Sequence, residues 1–391
     1  MENAVIVSSL RTPVGSFQGG LSSLPAPKLG ALVIKETLNR LNLPTDCIDE
    51  VILGEVLTAG VGQAPARQSA IHSGLKNTTP CLTINKVCGS GLKAVMLAAD
   101  SIKLGHSQAV IAGGQENMTL APHLLENSRS GFRMGPATVY DSMIKDGLWD
   151  PYGNTHMGNF GDLCARENHF TREMQDQFAI ESYQMAQKAI TNGYFKNEIV
   201  PVVIENKKGN ITIDKDEEPF NTKFDKIPTL KPAFEKEGTV TAANASKIND
   251  GAAIHLVTSE AFAKSKGLKP LAKIVSYATF AHDPAHFTTA PVGAIKKALA
   301  TANLKVGDID HWEINEAFSV VTMIAMKELE IPREKVNPHG GAVAIGHPIG
   351  ASGARILATL VHGLHTHNKK YGLATLCIGG GEAVAMIIER M

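Results

Sequence analysis

The chain has 391 residues, enough for two or three ordinary domains or one large core carrying an insertion. Hydrophobic residues make up 43% and charged residues 19%, a globular balance that excludes a disordered or fibrous chain. Lys+Arg and Asp+Glu both number 38, so no global field draws the chain to nucleic acid or an anionic membrane, and any anionic ligand must be held by local groups.

In chain order, "AVIVSS" from Ala4 reads as a buried strand. The opening "MENAVIVSSLRTP" has no basic segment followed by a long apolar stretch, and no run of about 18 apolar residues occurs anywhere. Neither a secretory signal nor a spanning helix is expected, and the location read from this is the cytoplasm.

Residues Ile34 to Leu57 read as an amphipathic helix, a turn containing Asp49 and a strand over Val51–Val56. The same pattern returns over Ile295 to Phe318. Identical residues pair at a constant offset of 261: Ile34/Ile295, Lys35/Lys296, Leu38/Leu299, Asn42/Asn303, Leu43/Leu304, Ile48/Ile309, Asp49/Asp310 and Glu55/Glu316. "CGSGLKAVMLAADSIKLG" is answered by "IGASGARILATLVHGLH", each a small-residue turn opening an apolar-periodic helix. "AVIAGG" from Ala109 is answered by "TLCIGG" from Thr375, and "AVIVSS" by "LAKIVSY" from Leu271. One strand–helix unit used twice implies an α/β protein of two stacked halves, with mixed, mostly parallel sheets expected.

The division expected is residues 1–117 plus 249–268 for the first half, 118–248 for an inserted loop or lid, and 269–391 for the second half. The insertion is polar and lysine-bearing, with Lys207, Lys208, Lys223, Lys226 and Lys231 among its acidic residues. It holds one secure helix after Thr171, ending at Gly193.

The five cysteines are widely spaced with no C-x-x-C, so neither a disulfide framework nor a metal site is expected. Cys88, in "NKVCGSGLKAV", precedes one repeated helix, and His347, in "AIGHPIGASG", precedes its counterpart. Pseudo-twofold stacking should bring these helix starts together with the ends of "WEINEAF" and "TLCIGGG", placing Cys88, Asn315, His347 and Cys377 in one pocket. A cysteine at a helix N-terminus is expected to have a lowered pKa, and a nearby imidazole can take its proton. A second thiol, Cys377, suits proton exchange with carbon. The enolate so formed needs donors: Asn315 through a water, His347, and the backbone N–H groups of Cys88 and Gly379.

"NKVCGSGLKAV", "NEAF", "NPHGGAVAIGHPIGASGARI" and "LCIGGG" resemble the signature blocks of the thiolase family, and the resemblance runs over essentially the whole chain. It is nearest to the biosynthetic, short-chain acetyltransferase branch. The resemblance implies an α/β thiolase fold, two similar stacked five-layered α-β-α-β-α halves with an inserted loop domain, usually assembled as a homotetramer. It makes Cys88 the acyl-accepting nucleophile, His347 its base, Cys377 the proton donor and acceptor at the α-carbon, and Asn315 the holder of a catalytic water. The activity implied is ping-pong condensation of two acetyl-CoA to acetoacetyl-CoA and CoA, and the reverse thiolysis. CoA thioesters are then substrates, with no tightly bound cofactor, and neither nucleic acid nor membrane is a partner. By motif, Ser246 lines the pantetheine arm, His156 and Met157 its acyl end, and Leu148, Phe234, Ala317 and Phe318 the apolar wall.

Three positions depart from the family pattern. Lys247 replaces a usual glycine and is read as lying near the mouth of the CoA site. Phe287-Thr288 replaces Met-Gly in the acyl pocket, and Glu382 follows the glycine turn after Cys377. A degradative 3-ketoacyl-CoA thiolase of broader chain length is the alternative inside the family. A non-catalytic CoA-binding protein on the same fold is the alternative outside catalysis, and a cysteine hydrolase would leave Cys377 idle.

Overall fold

A computed structural model describes residues 2–207 and 209–391, so Met1 and the insertion's Lys208 lie outside the described residues. The first half runs β1 (Ala4–Arg11), α1 (Ala26–Leu41), β2 (Glu50–Gly54), α2 (Pro65–His72), β3 (Cys81–Ile84), α3 (Ser90–Lys103), β4 (Ala109–Asn117). After an excursion containing α4 (Met157–Asn168) and α5 (Arg172–Thr191), the chain returns as β5 (Asn249–Ser259). The second half runs β6 (Ala272–Ala281), α6 (Ala290–Ala302), β7 (His311–Ile314), α7 (Ser319–Leu329), α8 (Ala342–Ile345), α9 (Ser352–Thr366), β8 (Tyr371–Ile378), β9 (Glu382–Arg390).

The strand order is β7-β8-β9-β6-β1-β5-β4-β2-β3, so β6-β9-β8-β7 of the second half repeats β1-β5-β4-β2 of the first, which adds β3, and the halves meet at Val5↔Lys273 and Ile6↔Ala272. Antiparallel pairing outnumbers parallel, contrary to the expected mostly parallel sheets. Among the strands of this sheet in the described residues, only β2 with β3, β2 with β4 and β7 with β8 run parallel. The last strand of each half, β5 or β9, slots antiparallel between the parallel set and the half's first strand. The expected strands over residues 51–56 and 312–317 also stop earlier, at Gly54 and Ile314, because the chain leaves the sheet there to build the site.

The five layers are built by both halves together. In β1, Ala4 and Ile6 face the central layer of α3 and α9, whereas Val5 and Val7 face α1 and α2. In the strands of the second half, Leu376 and Met386 face the central layer, and Leu373 and Ile387 face α6 and α7.

The repeated residues have a local cause. Asn42 and Asn303 both take left-handed backbone (φ 47° and 54°) and stop α1 and α6. The next N–H, of Leu43 or Leu304, returns at 3.0 Å to the carbonyl of Leu38 or Leu299, and each leucine pair shares one apolar cluster. This is a Schellman stop with its hydrophobic contact. Asp49 Oδ2 then accepts the N–H groups of Gln108 and Ala109, and Asp310 Oδ2 those of Lys370 and Tyr371. Each aspartate thereby pins the start of the next parallel strand.

In the excursion, the Thr171 hydroxyl caps α5 through the Met174 N–H at 3.3 Å, and the helix ends at Asn192 before a left-handed Gly193. Among the described residues no helix is long and apolar enough to cross a membrane.

Candidate active site

The "CGSG" and "GASG" turns let α3 and α9 touch at their first residues. A Cβ on Gly91 would lie 2.8 Å from the Ala354 nitrogen, and one on Gly353 would lie 2.4 Å from the Leu92 nitrogen. Only glycine permits that approach at these two positions, and it brings the segments holding Cys88 and His347 together.

Cys88 is half-buried on a strained elbow between β3 and α3. The residue before it, Val87, has φ 45°, a conformation costly for a β-branched side chain, roughly 1–3 kcal/mol. Asn85 Oδ1 accepts the Val87 N–H at 2.9 Å, and Ser90 Oγ accepts the Lys86 N–H at 2.8 Å while donating to Val87 O at 2.7 Å. Those bonds hold the elbow. The strain has no sequence signal, since nothing in "NKVC" announces a left-handed valine.

Burial pushes the Cys88 thiol up to about 11, overcoming the backbone N–H groups of Gly379 and of Cys88 itself, which favour the thiolate. This corrects the lowered pKa expected at a helix start. The two donors nonetheless aim at the sulfur from opposite halves of the molecule, and Gly379 begins a turn whose next glycines have φ 89° and 83°. Cys377, fully buried at the end of β8, is raised well above the usual thiol range by burial and then by the neighbouring Cys88.

His347 lies just before the turn into α9. Its N–H donates to Asn249 Oδ1 at 2.9 Å, and its Nδ1 stands 2.5 Å from Ser352 Oγ. Ser352 donates its own proton to Pro348 O at 2.8 Å, so its oxygen accepts from Nδ1–H and leaves Nε2 as the basic nitrogen. Burial holds the imidazole down to about 3, so thiol and imidazole are both neutral at rest. Ile349, two residues on, packs in one cluster with Cys88 and Leu148. The Glu116 carboxylate fastens that cluster by accepting from Val56, Leu57 and Gly350 N–H groups at 3.0, 3.2 and 2.8 Å. Sequence reading missed Ser352, Asn249 and Glu116; the serine of "GASG" was legible only as a small turn residue.

Asn315 leaves β7 beside β8, its N–H on Thr375 O at 3.0 Å, two residues before Cys377. Its side chain is fully buried, and neither amide atom has a partner among the described residues. Such an amide is equipped to hold a water or ligand. Met157, Ala317 and Phe318 share one apolar cluster with Cys377, joined by Phe234 and by Phe287. His156 stacks on Phe234 with ring centres 4.6 Å apart, and Phe234 meets Phe318 edge-on at 6.1 Å. The Ser246 N–H binds Ala317 O at 2.9 Å. All twelve residues singled out from sequence thus fall in these adjoining clusters or in the loops that touch them. A cavity of about 220 Å³ opens beside them, lined by Val87, Met157 and Gly379 and roofed by Gly147, Trp149 and Tyr152 of the excursion. The larger surface hollow between α5 and α7, about 600 Å³, includes none of them.

All three departures have partners, and two of them stand at the thiols. Glu382 pairs with Lys86 across the site, and Phe287, 3% exposed, stands with Met157 against Cys377. No group of three or more His, Cys, Asp or Glu side chains suited to a metal occurs among the described residues.

The family model described as thiolase, N-terminal domain, matches residues 4–261, and that described as thiolase, C-terminal domain, matches residues 268–390. An acetyl-CoA acetyltransferase of Cupriavidus necator is 53% identical over 392 residues, and one of Escherichia coli is 50% identical over 393, each covering 100% of both chains. Among solved structures, the acetyl-CoA acetyltransferase of Bacillus anthracis superposes with a TM-score of 0.98 at 40% identity, covering 100% of this chain and 99% of its own. An Ascaris suum thiolase in complex with coenzyme A gives 0.95 at 43% identity, covering 100% of both. With family models spanning both halves and full-length relatives at these identities, the chain belongs to the thiolase family.

Proposed function

We propose that the chain is an acyltransferase that condenses two acetyl-CoA to acetoacetyl-CoA and CoA, and runs the reverse thiolysis, through an acetyl-Cys88 intermediate. The observation that carries this reading is the meeting of two thiols, Cys88 and Cys377, under a Gly379 N–H directed at the Cys88 sulfur. The names of the full-length relatives support it.

In the first half-reaction His347 Nε2 takes the Cys88 proton as sulfur attacks the thioester carbonyl. The N–H groups of Cys88 and Gly379 receive the oxyanion, and CoA leaves with the proton. In the second, the Cys377 proton passes to His347 Nε2, and the Cys377 thiolate removes an α-proton from another acetyl-CoA. The enolate oxygen is held by the His347 Nε2–H and a water on the Asn315 amide, and its carbon attacks acetyl-Cys88. The Cys88 thiolate that leaves takes the proton back from His347, while the α-proton stays on Cys377. Losing one oxyanion donor costs about 2.7–4 kcal/mol of barrier. The neutral resting pair fits this division, since the proton moves only as the bond forms.

The pantetheine arm lies along Ser246, Ala317 and Phe318, with His156, Met157, Phe234 and Leu148 at the acyl end. Lys223 and Lys226 line an adjoining concavity of about 290 Å³ and serve the CoA phosphates. Turnover needs no tightly bound cofactor. We place the protein in the cytoplasm as a homotetramer; exposed Phe132, Met134, Val139 and Tyr140 on the excursion support assembly through that arm. Light scattering on the purified protein tests the assembly.

Mass spectrometry after mixing with acetyl-CoA tests the chemistry. One acetyl group is expected on Cys88, none in Cys88→Ala, and a stable acetyl-enzyme without condensation in Cys377→Ala. Acetylation of Cys88→Ala to the wild-type extent would refute the assignment.

A further inference from the structure

Lys247 follows Ser246, and its ammonium does not point into solvent. Nζ donates to the carbonyls of Ala242 at 2.6 Å, Ala245 at 3.1 Å and Val343 at 3.4 Å, and stands 5.5 Å from the centre of the Tyr183 ring. An ammonium has three N–H donors, and here each has an oxygen. Among the described residues no carboxylate lies within ion-pair distance of it, so the backbone dipoles and the ring face are what balance its charge. The Tyr183 hydroxyl, buried without a partner among the described residues, belongs to the same niche.

The carbonyls belong to two segments that both matter to the site. Ala242 and Ala245 lie in the loop that delivers Ser246, and Val343 lies in α8, which leads through Gly346 to His347. Glu316, between Asn315 and Ala317, holds α8 from its other side by accepting the Val343 N–H at 3.2 Å. Two residues beyond Lys247, Asn249 takes the His347 N–H. One short stretch, residues 242–249, therefore grips the His347 segment at two points, and Lys247 supplies the first.

We propose that Lys247 is a positioning residue, a tethered cation that fastens the pantetheine loop to the segment carrying the catalytic histidine. The proposal rests on the acyl-transfer reading for its kinetic consequence. Remove the side chain and convergent carbonyl oxygens remain, a set that a small cation with N–H donors can re-engage from solution.

The test compares wild type, Lys247→Gly and Lys247→Met in acetoacetyl-CoA thiolysis and in thermal unfolding. Each is measured in ammonium, methylammonium or tetramethylammonium chloride at constant ionic strength. In tetramethylammonium, which lacks N–H donors, Lys247→Gly should raise KM for the thioester and lower kcat/KM by about tenfold or more. Ammonium should restore most of the loss and raise the melting temperature of this variant alone, by binding the folded state. Lys247→Met, whose stem fills the niche, should stay impaired in every salt. Lys247→Gly that equals wild type in all three salts, or that is impaired without any difference among them, overturns the proposal. Wild type inactive in thiolysis would refute the acyl-transfer reading instead, while the ammonium-dependent melting shift of Lys247→Gly would still decide the clamp.

Discussion

Gly91→Ala probes the contact on which the site is built. The new methyl group would sit 2.8 Å from the Ala354 nitrogen and 3.1 Å from both the Ala354 Cβ and the Gly350 carbonyl oxygen. Non-bonded carbon needs roughly 3.5 Å or more, so the first turns of α3 and α9 must part by about 0.5–1 Å. Overpacking of this kind costs about 1–3 kcal/mol of stability. At roughly 2–4 °C per kcal/mol for a large domain, the melting temperature falls by only a few degrees. The same displacement separates Cys88 from His347, and a misplacement of about 1 Å in a reacting constellation costs on the order of 100-fold in rate. The expected signature is kcat for thiolysis falling about 10- to 100-fold in a protein still folded at the assay temperature. Gly307→Ala is the control: nothing lies within 4 Å of its would-be Cβ, and its effect should be a gain of about 0.4–1 kcal/mol or less. Gly91→Ala with wild-type kcat and melting temperature would refute the claim that glycine at this contact sets the site's geometry.

Because burial raises Cys88 to about 11, its alkylation by iodoacetamide should accelerate about tenfold per pH unit from pH 7 to 10. A plateau below pH 8 would mean a pre-formed thiolate–imidazolium pair and contradict the neutral one. Phe287→Ala should open the wall against Cys377, raising kcat/KM for a six-carbon 3-ketoacyl-CoA relative to acetoacetyl-CoA by about tenfold, the worth of one or two methylenes. An unchanged ratio removes Phe287 from the acyl pocket. Asn303→Gly should be neutral within a few tenths of a kcal/mol, whereas Asn303→Val should cost about 1–2 kcal/mol at its left-handed φ, both read by denaturant unfolding. Equal stability of the two variants would show that this helix stop does not depend on backbone conformation.

The duplicated halves were legible in sequence because the residues that repeat act locally. Leu38, Asn42, Leu43 and Asp49, and their partners at Leu299, Asn303, Leu304 and Asp310, stop a helix and anchor a strand through bonds whose sequence signature is short. The contact of the two helix starts that carry Cys88 and His347 followed from the same symmetry, since glycine and serine recur where those helices must touch.

Sequence by itself determined the family blocks, the candidate site residues and the segments that carry them. Only the tertiary structure decided the antiparallel slot of β5 and β9, the left-handed Val87, the raised Cys88 thiol, the hand of Ser352 on the imidazole and the three carbonyls around Lys247. A helix stop is written in neighbouring residues. A desolvation penalty or a convergent set of carbonyls is the sum of groups brought from far along the chain, and no local pattern encodes that sum.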